Sequence, residues 1–304
     1  MNVETERRIL AALAAHGGVL LTSDAERDGI KRINLTRAAD AGLIHRTGRG
    51  RYVAAGGATP LVATKAQQPY STAVLSHRGA AFHHGLDGVG EEYLEWSVPH
   101  GSRAKLPNVY QRRRFEDLDI VNLNGLWVTS VSQTLADLGA VTDVDIVERA
   151  AESALRLNLV DEVKLREFAE TRVRDRPGGA TLRAALARRP LGARPTGSDL
   201  ETVCLQVYRA GGVPTPQRQY EVYAADGTPV GITDFGWPPL AFVTEVDGLG
   251  SHGTETGMQY DYSRQARMED LGYRFRRHTR TDVLYRHRYV CSVVLRGLAR
   301  AALL

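Results

Sequence analysis

Asp234, Glu245 and Asp247 are the residues of this chain best suited to chemistry, because their spacing brings three carboxylates onto two adjacent strands. Residues 229–234 read as a strand ending on an acid, Trp237-Pro238-Pro239 supplies turn chemistry, and residues 240–246 form an apolar, strand-like run. A β-hairpin follows. Side chains alternate along a strand, so Glu245 and Asp247 face one side while Val246 points to the other. The hairpin closes Asp234 beside them. Three negative groups so close are costly unless a cation or a proton offsets their repulsion. Solvated turn acids are the ordinary alternative, but the apolar run before Glu245 and Gly248 directly after Asp247 weigh against it. The three acids are the predicted metal ligands.

The elements around the hairpin read as a helix over 199–210 stopped by Gly211-Gly212, a strand over 219–224 and a turn at Asp226-Gly227. After the hairpin come a helix over 261–271 and a strand over 273–277. This αβββαβ order is that of the PD-(D/E)XK nuclease core. The segments SDLE (198–201), PTPQRQY (214–220), TDFGWPPLAFVTEVDGLGSH (233–252) and DYSRQARMEDLGYRFRRHT (261–279) resemble the very-short-patch-repair-like branch of that superfamily. The resemblance implies Mg2+, a hard ion preferring oxygen ligands, with Mn2+ as a substitute. It gives the two metal-binding acid positions to Asp234 and Glu245, and places Asp247 where many such nucleases carry lysine. No lysine follows Lys164, so the base that activates water is expected to be a carboxylate, a histidine or a metal-bound hydroxide. His252 matches a histidine of the repair enzymes and is the candidate acid/base, with a loop histidine as the alternative. Glu201 matches an acid approaching the cluster, or else is a solvated acid favoured by the helix dipole. Gln217 and Gln219 are candidates to position water or phosphate. Relatives read Asp-Arg-x-Arg-Asp where this chain has Asp261-Tyr262-Ser263-Arg264-Gln265. Arg264 and the strand-end Arg277 are then expected to balance charge on a phosphate.

At the other end, residues 5–16 have helical periodicity through Ile9, Leu10 and Leu13, and Gly17-Gly18 breaks it. Thr22-Ser23-Asp24 can cap a second short helix, and a third runs over 33–41. Residues 43–46 and 51–54 flank Thr47-Gly48-Arg49-Gly50 as a small hairpin. Three helices and a wing make a winged helix-turn-helix. The run DAGLIHRTGRGRYVA (40–54) resembles the N-terminal winged helix of AbiEi-type antitoxins. In a DNA-binding reading, Lys31, Arg32, Asn34 and Arg37 lie on or before the third helix, while Arg46, Arg49 and Arg51 sit on the wing. A winged helix reused for protein contacts is the alternative.

Between these ends, LSHRGAAFHHGL (75–86), LEWSVP (94–99) and GLWVTSVSQTLADLGA (125–140) suggest an α+β region followed by helices over 144–157 and 162–171. Similar text follows the winged helix in AbiEi-like proteins. His77, His83, His84 and His100 lack defined metal-ligand spacing and are expected to serve capping and core hydrogen bonds. Residues 172–197, rich in Arg, Pro and Gly, read as the best boundary. The expected organisation is multidomain α+β: a winged helix-turn-helix at 1–56, a middle α+β and helical region at 57–191, and an α/β restriction-endonuclease-like domain at 192–304.

The 304 residues are 43% hydrophobic, enough for more than one core, with net charge +4. Only four of the 39 Lys and Arg residues are lysine; arginine forks suit phosphate, though coding bias has the same effect. Cys204 and Cys291 have no metal-ligand spacing, which predicts reduced buried thiols and excludes a cysteine zinc site. No signal peptide or membrane span is supported, and the cytoplasm is the default. The function expected is a metal-dependent endonuclease cutting DNA under winged-helix targeting. The alternatives are a non-enzymatic antitoxin-like regulator with a degenerate nuclease domain, and an RNA-cutting effector. DNA is the expected partner, RNA stays open, and so do a protein partner such as a cognate toxin and a homodimer.

Overall fold

The computed structural model describes every residue except 1, 49, 57–58, 70–71, 103–107, 249–254 and 304, and omits the side chains of 255–258 and 260. It is an α+β chain with three sheets among the described residues. Two compact units divide it: residues 1–84 with 90–137, and residues 85–89 with 138–304.

The first unit begins with α1 (Val3–Ala15), capped by the Asn2 side chain, which accepts from Thr5 N at 2.9 Å. Ile9, Ala12 and Leu13, at i, i+3 and i+4, form its buried stripe. Gly17 and Gly18 turn the chain with φ of +65° and +84°. β1 (Val19–Leu21), α2 (Thr22–Arg27), α3 (Arg32–Asp40), β2 (Ile44–Gly48) and β3 (Arg51–Ala54) follow. Their sheet runs β1-β3-β2, all antiparallel. Leu20, Ala25, Ile30, Leu35, Ala38, Ile44 and Tyr52 complete one core with α1. Three helices against a small antiparallel sheet fit a winged helix; β1 is the strand that local sequence pattern did not announce.

The same unit continues with α4 (Pro60–Ala66), β4 (Val74–Leu75), α5 (His77–His83), β5 (Trp96–Pro99), β6 (Val109–Arg112), β7 (Ile120–Leu123), β8 (Leu126–Thr129) and α6 (Val131–Leu138). The mixed sheet β6-β5-β4-β8-β7 packs around Leu75, Trp96, Val98, Leu126 and Val128. His77, His83 and His84 are bonded to Ser76 Oγ, Thr64 Oγ1 and the Thr129 carbonyl at 2.8, 2.8 and 2.7 Å, in the structural roles expected of them.

The second unit holds α7 (Val144–Arg156), α8 (Glu162–Thr171) and α9 (Gly179–Ala187), so the compact division falls before these helices and not near residue 191. The reason is electrostatic. Buried Glu152 on α7 pairs with Arg189 and with Arg218, and Glu148 pairs with Arg188 and Arg209. The pairs with Arg209 and Arg218 tie α7 to the segments that follow residue 191.

Next come α10 (Asp199–Ala210), β9 (Gln217–Tyr223), β10 (Pro229–Trp237), β11 (Phe242–Asp247), α11 (Glu255–Asp270), β12 (Arg274–Thr279), α12 (Arg280–Tyr285) and α13 (His287–Ala301). The sheet order is β12-β11-β10-β9, with β11 and β12 parallel and the other pairs antiparallel. One sheet face packs Phe235, Trp237 and Phe242 against Leu200, Cys204, Leu205, Tyr208, Val290, Val294 and Leu298 of α10 and α13. The other packs Val222, Val230, Val243 and Phe275 against Met268 of α11. Both cysteines are buried free thiols.

Candidate active site

The register of the central strands assembles the acids. β10 and β11 pair from Trp237↔Phe242 to Phe235↔Thr244, and the next step puts Asp234 opposite Glu245 just where the ladder ends. Asp234 Oδ2 accepts instead from Val246 N at 2.7 Å, so the side chain takes up a backbone donor freed by that ending. On the other side of Asp234, β9 pairs at Tyr220↔Thr233 and Arg218↔Phe235 but skips Gln219. Gln219 is left-handed, with φ of +46°, a costly conformation for a residue with a side chain. The register is unchanged across it, and the left-handed backbone turns its side chain. Here the Gln219 amide donates to Glu201 Oε2 at 2.8 Å.

Glu201 comes from the first turn of α10. Ser198 caps that helix by accepting from Glu201 N, and the capped turn returns the carboxylate toward the chain before it. It accepts from Gly197 N at 2.6 Å and Ser198 Oγ at 3.0 Å. A Cβ at residue 197 would lie 2.9 Å from Glu201 Oε1, which explains glycine there. Glu201 is only 6% exposed, so it is not the solvated helix acid of the alternative reading. Burial raises its carboxyl above the usual range despite these donors.

Asp234 is raised further, to about 7, first by burial and then by the negative charges of Glu201 and Glu245. Glu245 is raised by burial while Arg264 and Arg277 pull it back. Its two oxygens are divided between them: Arg264 Nη2 lies 2.6 Å from Oε1 and Arg277 Nη2 3.2 Å from Oε2. Arg277 Nη1 also stands 3.3 Å from Asp247 Oδ1, so Glu245 and Asp247 meet one guanidinium, as strand alternation predicts. The parallel partner of Glu245 is Arg277 itself.

Arg264 arrives from α11 across a slot made by Gly231, where a Cβ would lie 2.7 Å from its Cδ. It donates from Nη1 to the Ile232 carbonyl at 2.6 Å, and its side chain is 11% exposed. The two arginines expected to meet a phosphate are thus engaged with the acids expected to hold a metal.

Oxygen donors and mutual repulsion fit a hard divalent cation in chemistry. As placed, however, no three His, Cys, Asp or Glu side chains among the described residues are grouped to hold an ion. His252 lies outside the described residues. His278, which sequence reasoning did not single out, is fully buried beside Val246 in register, and neither ring nitrogen has a hydrogen-bond partner among the described residues. Burial lowers its pKa, against the opposing charges of Asp282 and Asp247. Only the strand-pairing register could have flagged it.

In the first unit, Lys31, Arg32, Arg37 and Arg46 are exposed and Asn34 is half-buried. Arg51 is half-buried and donates to the Ala66 carbonyl at 3.1 Å, away from the role of a free wing residue. Arg49 lies outside the described residues.

No described helix is long and apolar enough to cross a membrane. No curated protein matches the chain. Residues 7–55, which run from within α1 to the end of the wing, match the family described as transcriptional regulator, AbiEi antitoxin.

Proposed function

We propose that the chain is a metal-dependent endonuclease whose second unit, of PD-(D/E)XK type, hydrolyses phosphodiester bonds in DNA, while the antitoxin-like winged helix brings it to the duplex. The observation that carries this reading is Asp234, buried where the β10–β11 ladder ends, whose carboxyl is raised to about 7 first by burial and then by the negative charges of Glu201 and Glu245. Perturbed acids beside a strained residue, here the left-handed Gln219 bonded to Glu201, are a usual mark of a working site. The element order α10-β9-β10-β11-α11-β12 agrees with it.

Asp234, Glu245 and Asp247 are the proposed ligands of Mg2+ or Mn2+. Such an ion would withdraw charge from the scissile phosphate and lower the pKa of a bound water. Arg264 and Arg277 supply counter-charge to the phosphate, and Gln219 and Glu201 order the edge of the site. With no lysine after Lys164, the proton of the attacking water passes to a carboxylate or to His252. Lys31, Arg32, Asn34, Arg37 and Arg46 hold the duplex in the winged helix.

A second reading draws support from the arginines seated on Glu245. In it the second unit is a degenerate nuclease, and the protein is a DNA-binding antitoxin-like regulator that works with a partner such as a toxin. An RNA-cutting effector would use the same acids as the first reading. Incubation of the protein with supercoiled, linear and single-stranded DNA and with RNA, in Mg2+ or Mn2+, separates all three. Cleavage of DNA lost in Asp234→Ala and Glu245→Ala supports the proposal; cleavage surviving both removes the site, and binding without cleavage supports the regulator.

A further inference from the structure

Resting on that reading, we infer that Arg264 and Arg277 form a latch on Glu245, so that a divalent cation loads well only when a phosphodiester draws the guanidinium groups away. Each oxygen of Glu245 has an arginine, at 2.6 and 3.2 Å, and Asp247 shares the second at 3.3 Å. A cation approaching these oxygens meets two positive charges already in place. A phosphate placed beside them offers both arginines the oxygen forks that they prefer.

The two are seated differently. The stem of Arg264 lies in the Gly231 slot and its Nη1 is tied to the Ile232 carbonyl at 2.6 Å, so the stem stays in place while Nη2 leaves Glu245 by a turn of the guanidinium about that bond. Arg277 has a 26% exposed side chain and stands over the Phe275 ring at 5.3 Å. It is the more accessible partner for an incoming strand. Asp234 and Glu201 have no arginine on their oxygens and are held instead by Val246 N, Gly197 N, Ser198 Oγ and the Gln219 amide. The latch therefore spares the free protein part of the repulsion and makes metal and nucleic acid bind with positive coupling. By reciprocity, the factor by which the duplex tightens the metal equals that by which the metal tightens the duplex.

The test is a Mn2+ titration of the full chain, followed by the paramagnetic signal of free Mn2+, with and without a short phosphorothioate duplex that resists cleavage. Arg264→Gln and Arg277→Gln keep the aliphatic stems, and circular dichroism melts verify folding; Arg277→Gln, at the more exposed position, serves if the other fails to fold. In the free protein the Gln variants should bind Mn2+ about tenfold more tightly than the unaltered chain, and addition of duplex should tighten the unaltered chain by a similar factor and the variants far less. Equal or weaker Mn2+ binding by folded variants overturns the latch while leaving the metal site standing. Absence of Mn2+ binding from every protein, with or without duplex, overturns the proposed function and the latch with it.

Discussion

Buried carboxylates are treated in opposite ways at two kinds of place: the arginine-paired acids of the first unit, to which Glu148 and Glu152 of the second correspond, and the acids around Asp234. In the first unit Glu95 is 2% exposed and receives the fork of Arg78, at 2.6 and 3.2 Å, together with Arg78 N and the Tyr110 hydroxyl. Asp137, 1% exposed, is met by Arg112 at 2.7 Å and by Gln133 at 3.0 Å. Each buried acid has an arginine of its own. In the second unit Glu201 and Asp234 receive backbone N–H groups, a hydroxyl and an amide, and the arginines stand on Glu245 instead. Burial by itself therefore does not mark a site. An excess of buried negative charge over the cations within reach does, since only a proton or an incoming cation relieves it.

That contrast predicts opposite signs for two substitutions. Removing the arginine of a satisfied pair strands a buried charge, so Arg78→Ala should cost about 3 kcal/mol of stability, read from denaturant unfolding. A cost below about 1 kcal/mol would make the Glu95 centre no better satisfied than the other. Asp234→Asn removes surplus charge and keeps an oxygen for Val246 N. At pH 8 in chelator it should stabilise the protein by roughly 1–3 kcal/mol.

The pH dependence follows with a definite sign. The Asp234 carboxyl rises from 3.8 to about 7 on folding, so between those values the folded chain holds a proton that the unfolded chain has released. Metal-free stability should fall as pH rises through that window and level off above it. Glu201 and Glu245 are raised as well and act in the same direction. A melting series in chelator from pH 5 to 8 checks this, and the Asp234→Asn series should be visibly flatter.

The smallest expected effect lies at the winged helix, where charge is solvated and exchanged cheaply. Arg32→Ala or Arg37→Ala should each weaken duplex binding by about 1 kcal/mol and reduce the slope of log K against log salt by about 1. Arg51→Ala should change duplex affinity less than either, because its guanidinium is turned to the Ala66 carbonyl.

Much of this arrangement was legible in the residues. The helix over 199–210 appears as α10 with the same bounds, and the alternation of Glu245 and Asp247 ends on the shared Arg277. The three helices and wing were readable from periodicity and Gly-rich breaks. What remained hidden depends on pairing between distant strands. Gln219 looks like any strand residue until β9 and β10 align and leave it left-handed. The slot at Gly231 exists only once α11 crosses the sheet, and the role of Arg264 on Glu245 depends on that slot. Assignment of α7–α9 to the second unit depended on Glu152 finding Arg218, far along the chain, and the Pro-rich segment between them looked like a boundary.

The claim that this centre carries surplus charge meant for a cation is tested most directly by melting the unaltered chain and Asp234→Asn side by side at pH 8, in chelator and in Mn2+. The unaltered chain should start lower and rise on addition of Mn2+, while Asp234→Asn should start higher and barely respond. If Asp234→Asn melts lower than the unaltered chain in chelator, or if Mn2+ shifts both equally, the carboxylates are architecture and the account is contradicted.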